Sequence, residues 1–195
     1  MNFKKEHTSP QNYYWWNKGF SKEELDKVHQ GVSLLPFQEA TTFASANDLI
    51  IKKEIRSSSI KWIPKTDEWK WLYEKLMRMA EEANSIWKFN LVSADESIQY
   101  TEYYDTAEGH YDWHQDIGPG SGSLRKISIT VQLSEPNEYE GGEFEMWSGG
   151  KSIVTAEKGA GVVFMFPSYM MHRVKKITKG TRKSFVLWVG GDHYR

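Results

Sequence analysis

Cysteine is missing from this chain altogether. Its absence excludes disulfide bonds, thiolate catalysis and metal or iron–sulfur centres that cysteine would hold. A metal site in this protein would therefore have to be built from histidine, aspartate and glutamate side chains.

An excess of charge of either sign is missing too. The 25 basic and 26 acidic residues leave a formal net charge of −1, so we expect neither nucleic acid nor an anionic membrane as a partner. No stretch approaches the roughly 18 apolar residues of a membrane span. Residues 1–11 are polar and contain no apolar signal core. We therefore expect a soluble, cytoplasmic protein.

The sequence does contain enough apolar material for one core. Of its 195 residues, 39% are hydrophobic and 14% are aromatic, which suits one well-buried domain better than two. We predict a single domain over 1–195, with a helical N-terminal support region over about 1–96 and a β-rich core over about 97–195.

Two helices are predicted in the N-terminal region. Ser21 and Glu24 form a capping-box pattern, which predicts a helix over 22–30. Apolar residues at helical spacing, from Trp69 to Trp87, predict a long amphipathic helix that begins behind Thr66 or Asp67.

The core reads as a series of short strands separated by turn residues. Segments rich in β-branched and aromatic residues alternate with clusters of Gly, Pro, Ser and Asn. The predicted strands are 98–104, 111–116, 126–133, 143–147, 152–155, 161–166, 170–174 and 182–189. Eight such strands predict a jelly roll, and we expect the helices to pack on the outer face of one of its sheets, giving an α+β fold.

The first candidate site lies in the segment His114-Gln115-Asp116. Alternate residues of a strand point to the same face, so this imidazole and this carboxylate can converge on one metal. Alone, the triplet is weak, because two polar groups on a solvated strand face give the same pattern. His172 on a separate strand completes a set of two histidines and one carboxylate, the facial triad that leaves three positions of an octahedral Fe(II) open.

The second candidate site is Arg182, at the start of the last predicted strand. An arginine that enters an apolar strand is costly to bury unless an anion pairs with it, and its fork matches a carboxylate. An arginine that reaches solvent at the strand end is the alternative. Ser184 lies two residues on, on the same face, and could make a second contact to the same anion.

The order of these motifs resembles the prolyl 4-hydroxylase-like branch of the Fe(II)/2-oxoglutarate oxygenases, and it is similar to the PKHD-type hydroxylases of bacteria and phages. The matching pieces are Tyr104, Trp113-His114-Gln115-Asp116, Arg125-Lys126-Ile127-Ser128, Tyr139-Glu140-Gly141-Gly142-Glu143-Phe144, Phe166-Pro167-Ser168, His172-Arg173-Val174, Thr178-Lys179-Gly180-Thr181-Arg182 and Trp188. The seven ordered motifs that precede Trp188 are together far more specific than any one of them.

The resemblance implies a double-stranded β-helix as catalytic core. It places Fe(II) on His114, Asp116 and His172, and the distal carboxylate of 2-oxoglutarate on Arg182, with O₂ as oxidant and ascorbate as a further candidate cofactor. Tyr104, ten residues before His114, is expected to contact the co-substrate or the substrate. Gln132 stands where several animal prolyl hydroxylases have a Tyr that assists this Arg, which is a departure from the family pattern.

The implied reaction is hydroxylation of a C–H bond, with succinate and CO₂ as co-products. The expected substrate is a prolyl residue of a peptide or protein, in preference to a small molecule. Two alternatives stay open: the same chemistry on a free amino acid or other small molecule, and a jelly-roll metal-binding protein without 2-oxoglutarate activity. Residues 118–123 and 41–47 are expected either to act as lids over the substrate or to be plain surface loops.

Overall fold

The computed structural model describes residues 12–40, 42–43, 49–50, 52–150 and 152–194. The α-helices are α1 Lys22–Ser33 and α2 Lys70–Trp87, and 3₁₀ turns span Asp105–Ala107 and Gly120–Leu124. The strands are β1 Tyr14–Trp16, β2 Gln38–Glu39, β3 Thr42–Phe43, β4 Leu49–Ile50, β5 Arg56–Ser57, β6 Ser59–Ile63, β7 Leu91–Ser93, β8 Ile98–Tyr104, β9 His110–His114, β10 Arg125–Gln132, β11 Tyr139–Gly141, β12 Phe144–Gly149, β13 Ser152–Thr155, β14 Val163–Pro167, β15 His172–Val174 and β16 Ile177–Gly191.

Two antiparallel sheets form the core. The major sheet has the order β1-β14-β10-β16-β8-β6-β2, and β7 and β11 also pair with β16. The minor sheet has the order β13-β12-β15-β9-β5. The chain crosses repeatedly between the sheets, with β8, β10, β14 and β16 in the major sheet and β9, β12, β13 and β15 in the minor one. Residues distant in sequence therefore meet in the space between them. The α+β prediction with a jelly-roll core is confirmed.

Both helices pack on the outer face of the major sheet, as expected. The buried apolar stripe of α2, which includes Leu72, Leu76 and Ala80, belongs to the same cluster as Ile127 and Leu187 of the sheet. A second cluster, with Phe144, Phe166 and Val174, fills the space between the two sheets. The outer cluster therefore supports the major sheet, while the inner one surrounds the polar side chains that enter between the sheets.

The helix boundaries follow local chemistry. At the start of α1, Glu24 N–H donates to Ser21 Oγ at 3.3 Å and Ser21 N–H donates to the Glu24 carboxylate at 2.8 Å, which is the predicted capping box. The helix continues to Ser33, three residues beyond the predicted end, and α2 begins at Lys70 after a turn in which Trp69 N–H donates to Thr66 O at 3.0 Å. No helix within the described ranges is long and apolar enough to cross a membrane.

The region before residue 97 is more than a helical support. It also supplies β1 and β6 to the major sheet and β5 to the minor sheet. These strands pair with partners far away in sequence, and β5, with only two residues, has no periodicity from which it could be predicted. The N-terminal region thereby reaches the interior of the core.

Candidate metal centre and adjoining cavity

Three predicted ligands converge between the sheets. His114 ends β9, His172 begins β15, and the two residues face each other in the ladder that joins these strands. His114 Nε2 lies 3.7 Å from Asp116 Oδ1, and His172 Nε2 lies 3.5 Å from Asp116 Oδ2. Asp116 lies beyond the end of β9, where its N–H donates to Ser168 O at 2.9 Å. Within the described part of the chain, this is the one group of three such side chains close enough to share a metal.

The backbone fixes the tautomer of both imidazoles. His114 Nδ1 lies 2.7 Å from Asp112 O, and His172 Nδ1 lies 2.9 Å from Met170 O. A carbonyl oxygen can only accept, so each Nδ1 must carry the hydrogen. The lone pair of each Nε2 is then directed at the carboxylate, where a metal would bind.

Asp116 is supported by a side chain of the major sheet. Ser128, on β10, donates its hydroxyl to Asp116 Oδ2 at 2.6 Å, and Ser168 Oγ lies 3.0 Å from the same Ser128 oxygen. Arg125 Nη1 donates to the backbone carbonyl of Asp116 at 3.0 Å. The second oxygen, Oδ1, is left for a metal.

Burial and neighbouring charges keep His114 and Asp116 in the ionisation states that a cation requires. Burial is the main cause that lowers the pKa of His114 to about 3, and neighbouring His172 adds to this, so the imidazole of His114 is neutral near pH 7. Burial alone would raise the pKa of Asp116, but the two histidines, the Ser128 hydroxyl and Arg125 lower it below its usual value.

This donor set fits Fe(II). Two imidazoles and one carboxylate are the 2-His-1-carboxylate combination of non-haem Fe(II) oxygenases. Metal ligands at about 2.1 Å and at right angles lie about 3.0 Å apart, so the 3.5 and 3.7 Å separations need only a small closure. His172 and Asp116 are 5% and 9% exposed, which limits access of water to the site.

A cavity of about 360 Å³ extends from the triad into the space between the sheets. Its lining includes the triad, Arg182 and Ser184, so the structure brings five of the six predicted site residues together. Aromatic and apolar walls are contributed by Tyr103, Tyr111, Phe144, Phe166, Val186 and Trp188.

Arg182 is a buried cation that faces this cavity. It is 1% exposed, and its guanidinium donates to Ser184 Oγ at 3.1 Å and to Gln132 Oε1 at 2.7 Å. Both acceptors are neutral, Nε has no hydrogen-bond partner, and among the described residues no carboxylate forms an ion pair with Arg182. A buried guanidinium in this state has the capacity to bind an anion from the cavity.

Gln132 and Gly142 shape the environment of Arg182. Gln132 occupies the position at which the sequence departs from the family pattern, and its amide oxygen accepts a hydrogen bond from the guanidinium of Arg182. At Gly142, with φ +62°, a Cβ would lie 2.2 Å from Ile177 Cδ1 and 3.1 Å from Arg182 Cδ. Only a glycine allows the turn before β12 to pack this closely on the arginine.

Tyr104 is the one predicted site residue that lies elsewhere. Residues Gln99, Thr101 and Tyr103 of β8 line the cavity, whereas Tyr104 does not. Its hydroxyl donates to Glu102, and the pKa of Tyr104 is raised, chiefly by burial and then by this carboxylate. A shift of one residue along a strand reverses the face, so Tyr104 lies outside the lining of this cavity, and its expected contact with the co-substrate or the substrate stays a prediction. Tyr103 lines the cavity instead, and the Arg182 guanidinium carbon lies 5.4 Å from its ring centre.

Sequence reasoning missed a further set of polar residues around the cavity. Arg56 of β5 is 7% exposed and donates to Gln99 Oε1 at 2.7 Å. Arg125 pairs with Glu96 and lies with its guanidinium carbon 3.8 Å from the centre of the Trp188 ring. These residues come from different strands and loops, so no local spacing in the sequence connects them.

One of the two segments expected to act as lids borders the cavity. In the first, 118–123, the chain enters the 3₁₀ turn Gly120–Leu124, and Ser121 lines the cavity. In the second, 41–47, only the backbone of Thr42 and Phe43 is described, in the short β3–β4 hairpin, and the remainder lies outside the described residues.

Comparison with known proteins agrees with this geometry. Residues 98–190 match the family model of the 2OG-Fe(II) oxygenase superfamily. A PKHD-type hydroxylase from Rippkaea orientalis is 27% identical over 177 residues, which cover 89% of this chain and 76% of that protein. Another, from Picosynechococcus, is 39% identical over 79 residues, but the match spans 40% of this chain and only 36% of that relative.

A solved structure shares the fold. The prolyl hydroxylase of Trichoplax adhaerens, solved in complex with a peptide fragment of hypoxia inducible factor, superposes with a TM-score of 0.76 at 16% identity, covering 92% of this chain and 84% of that one. The residues matched by the family model include the strands that present the triad and Arg182. This segment of the chain is therefore similar to the 2OG-Fe(II) oxygenase superfamily, and the chain shares its fold with a prolyl hydroxylase.

Proposed function

We propose that this protein hydroxylates a prolyl residue of a peptide or protein, using Fe(II), 2-oxoglutarate and O₂. The observation that carries the proposal is the presence, in one cavity, of a buried His-Asp-His triad and a buried arginine with no acidic partner among the described residues. The first provides the ligands for Fe(II), and the second provides a charge for a dicarboxylate co-substrate.

Each residue has a distinct part in this reaction. His114, Asp116 and His172 would hold the iron, and Arg182, assisted by Ser184, would bind the distal carboxylate of 2-oxoglutarate. When bound, the iron and the co-substrate supply the oxidising chemistry that inserts one oxygen atom of O₂ into a C–H bond, with succinate and CO₂ as co-products. The protein orients both groups and excludes water from the cavity.

The walls of the cavity support an apolar target. Phe144, Phe166 and Trp188 line it close to the metal ligands, and the ring centre of Phe166 lies 4.7 Å from that of His172. A prolyl ring is a compact apolar group that such walls can hold near the metal. The related Trichoplax enzyme was solved with a peptide bound, which favours a peptide over a free small molecule here.

The test is an assay of the full chain with Fe(II), 2-oxoglutarate and O₂, with and without ascorbate. Proline-containing peptides are compared with the same peptides carrying alanine at that position, and free proline and other amino acids form a separate arm. Succinate is quantified, and mass spectrometry locates any added oxygen atom. Oxygen on a peptidyl proline, absent with His172→Ala, would support the proposal. Oxygen on a free amino acid alone would refute the peptide substrate, and absence of succinate in every arm would refute the activity.

A further inference from the structure

We infer that Arg56 and Tyr111 form a positioning pair that holds the imidazole of His114 in the orientation a metal requires. The inference rests on the metal site of the proposed function and extends it to residues that would not touch the metal. It also gives the region before residue 97 a part in the site, through β5.

Tyr111 is the residue in direct contact with the ligand. Its ring lies almost parallel to the imidazole of His114, with 3.5 Å between ring centres and 14° between planes. The hydrogen bond from Nδ1 to Asp112 O fixes one edge of the imidazole, but a single bond still allows the ring to tilt about that edge. A flat aromatic surface against the face of the imidazole removes this freedom. Metal ligands must be held within about 10–20° of their productive orientation.

Arg56 holds Tyr111 in turn. The two residues are direct neighbours in the β5–β9 ladder, and the Arg56 guanidinium carbon lies 4.6 Å from the centre of the Tyr111 ring. An arginine over a tyrosine face is attracted to the ring electrons, and the attraction is stronger away from water. Arg56 is 7% exposed, so this contact is shielded.

The guanidinium is itself fixed across the gap between the sheets. Its Nη2 donates to Gln99 Oε1 on β8 of the major sheet at 2.7 Å, and its Nε donates to Ser58 Oγ at 3.0 Å. Arg56 therefore starts on the minor sheet and ends on the major one, beside the cavity. The main chain adds a bond from Asp112 N–H to Ile55 O at 2.8 Å.

The pair thus couples metal binding to the docking of β5. If β5 separates from β9, Tyr111 loses its contact with the Arg56 guanidinium. The Tyr111 ring is then no longer held against the imidazole of His114. Substitutions in the layer around metal ligands typically weaken metal affinity about 10–100-fold. We expect an effect at the lower end of that range, because the bond from His114 to Asp112 O persists.

Metal binding to the full chain tests the positioning role without turnover. Mn(II) affinity is measured from the free ion by electron paramagnetic resonance. The visible spectrum of the Co(II)-loaded protein reports the geometry of the site. Tyr111→Leu should weaken Mn(II) binding about tenfold and alter the Co(II) spectrum. Tyr111→Phe, which keeps the ring, should restore both. Arg56→Met should weaken binding several-fold, and Arg56→Lys should recover part of that loss.

Two controls separate positioning from general destabilisation. Arg173→Met removes an arginine of the same sheet whose guanidinium carbon lies 4.6 Å from the Trp113 ring centre, and it should leave Mn(II) affinity unchanged. In the double variant Arg56→Met/Tyr111→Leu, binding should be no weaker than in Tyr111→Leu alone, because Arg56 acts through the tyrosine.

The possible failures are distinguishable. Wild-type Mn(II) affinity and Co(II) spectrum in Tyr111→Leu would overturn the inference, as would a full additional loss in the double variant. Either result would leave the proposed function standing. If the wild-type protein shows no saturable Mn(II) binding that His172→Ala abolishes, the metal site and the inference both fail.

Discussion

Replacing Arg182 by Met is expected to weaken the binding of 2-oxoglutarate while leaving the metal-free protein equally or more stable. The substitution keeps a flexible, unbranched side chain, somewhat shorter than that of arginine, and removes its charge. Arg182 is 1% exposed, and its two hydrogen-bond acceptors, Ser184 and Gln132, are neutral. Without its co-substrate, the protein therefore maintains a buried cation whose charge no described carboxylate compensates.

The two effects have different sizes. Hydrogen bonds to a charged group contribute about 1.5–3 kcal/mol each, and truncation of one partner of a buried charged pair costs about 2–5 kcal/mol. At about 1.4 kcal/mol per factor of ten, affinity for 2-oxoglutarate should fall roughly 30-fold to several thousand-fold. Replacement of a buried charge by an apolar side chain of similar size is often neutral or stabilising by about 1–4 kcal/mol.

The assay is an anaerobic titration of 2-oxoglutarate into the Fe(II)-loaded protein, followed by its charge-transfer absorption, with thermal unfolding of the metal-free protein measured in parallel. Arg182→Lys should recover part of the affinity, because it keeps the charge and loses the fork. Lys183→Met is the matched control, since it removes a cation from the adjacent position of β16, which does not line the cavity. It should leave the affinity unchanged.

A wild-type dissociation constant for Arg182→Met, with normal iron content, would mean that another group binds the distal carboxylate. A large loss of stability in the metal-free variant would show that Arg182 is compensated within the protein itself. Either result would contradict the role deduced from its burial and its neutral partners.

Three further predictions concern single residues. His172→Ala should lose Fe(II) binding and succinate formation without loss of thermal stability in the metal-free protein, and wild-type turnover at limiting iron would refute the triad. Tyr103→Phe should weaken 2-oxoglutarate binding by up to about tenfold, the value of one hydrogen bond, whereas Tyr104→Phe should not. A loss of affinity in Tyr104→Phe but not in Tyr103→Phe would support the role of Tyr104 expected from the sequence. The folded-state pKa of His114 is about 3 and its ordinary value is 6.5, so the unfolded chain binds the extra proton, and the stability of the metal-free protein should fall as pH drops below about 6.5. By pH 5 the free energy of unfolding should have fallen by about 2 kcal/mol because of this group. Denaturant unfolding at pH 7.5 and pH 5 should show this decrease in the wild type and not in His114→Gln. An equal decrease in both proteins would refute the prediction.

Much of the site could be predicted because its residues are set by local patterns. His114 and Asp116 are two positions apart, His172 directly begins a strand, and Arg182 and Ser184 alternate on another. Approximate strand boundaries were enough to assign these side chains to one face of each strand. Small errors at those ends, such as Asp116 lying beyond β9, did not change the face.

The position of Tyr104 could not be obtained in that way, because it depends on counting through a turn. The 3₁₀ turn Asp105–Ala107 and Glu108, in the left-handed conformation with φ 46°, separate β8 from β9. A turn can absorb one residue more or less, and one residue decides which face of the strand a side chain occupies. Arg56 was missed for another reason: its partners Gln99 and Tyr111 are 43 and 55 positions further along the chain, and only the assembled sheets bring them together.

The supports of the two kinds of metal ligand differ in how evolution can alter them. Each imidazole donates to a main-chain carbonyl of the residue two positions earlier, Asp112 for His114 and Met170 for His172. Every amino acid carries that carbonyl, so no single substitution at these acceptors can delete it. The support of Asp116 is the hydroxyl of Ser128, which one substitution can remove. As sequences drift, the orientation of the histidines should therefore be robust, and the basicity of the carboxylate should be the property of the site that is free to vary.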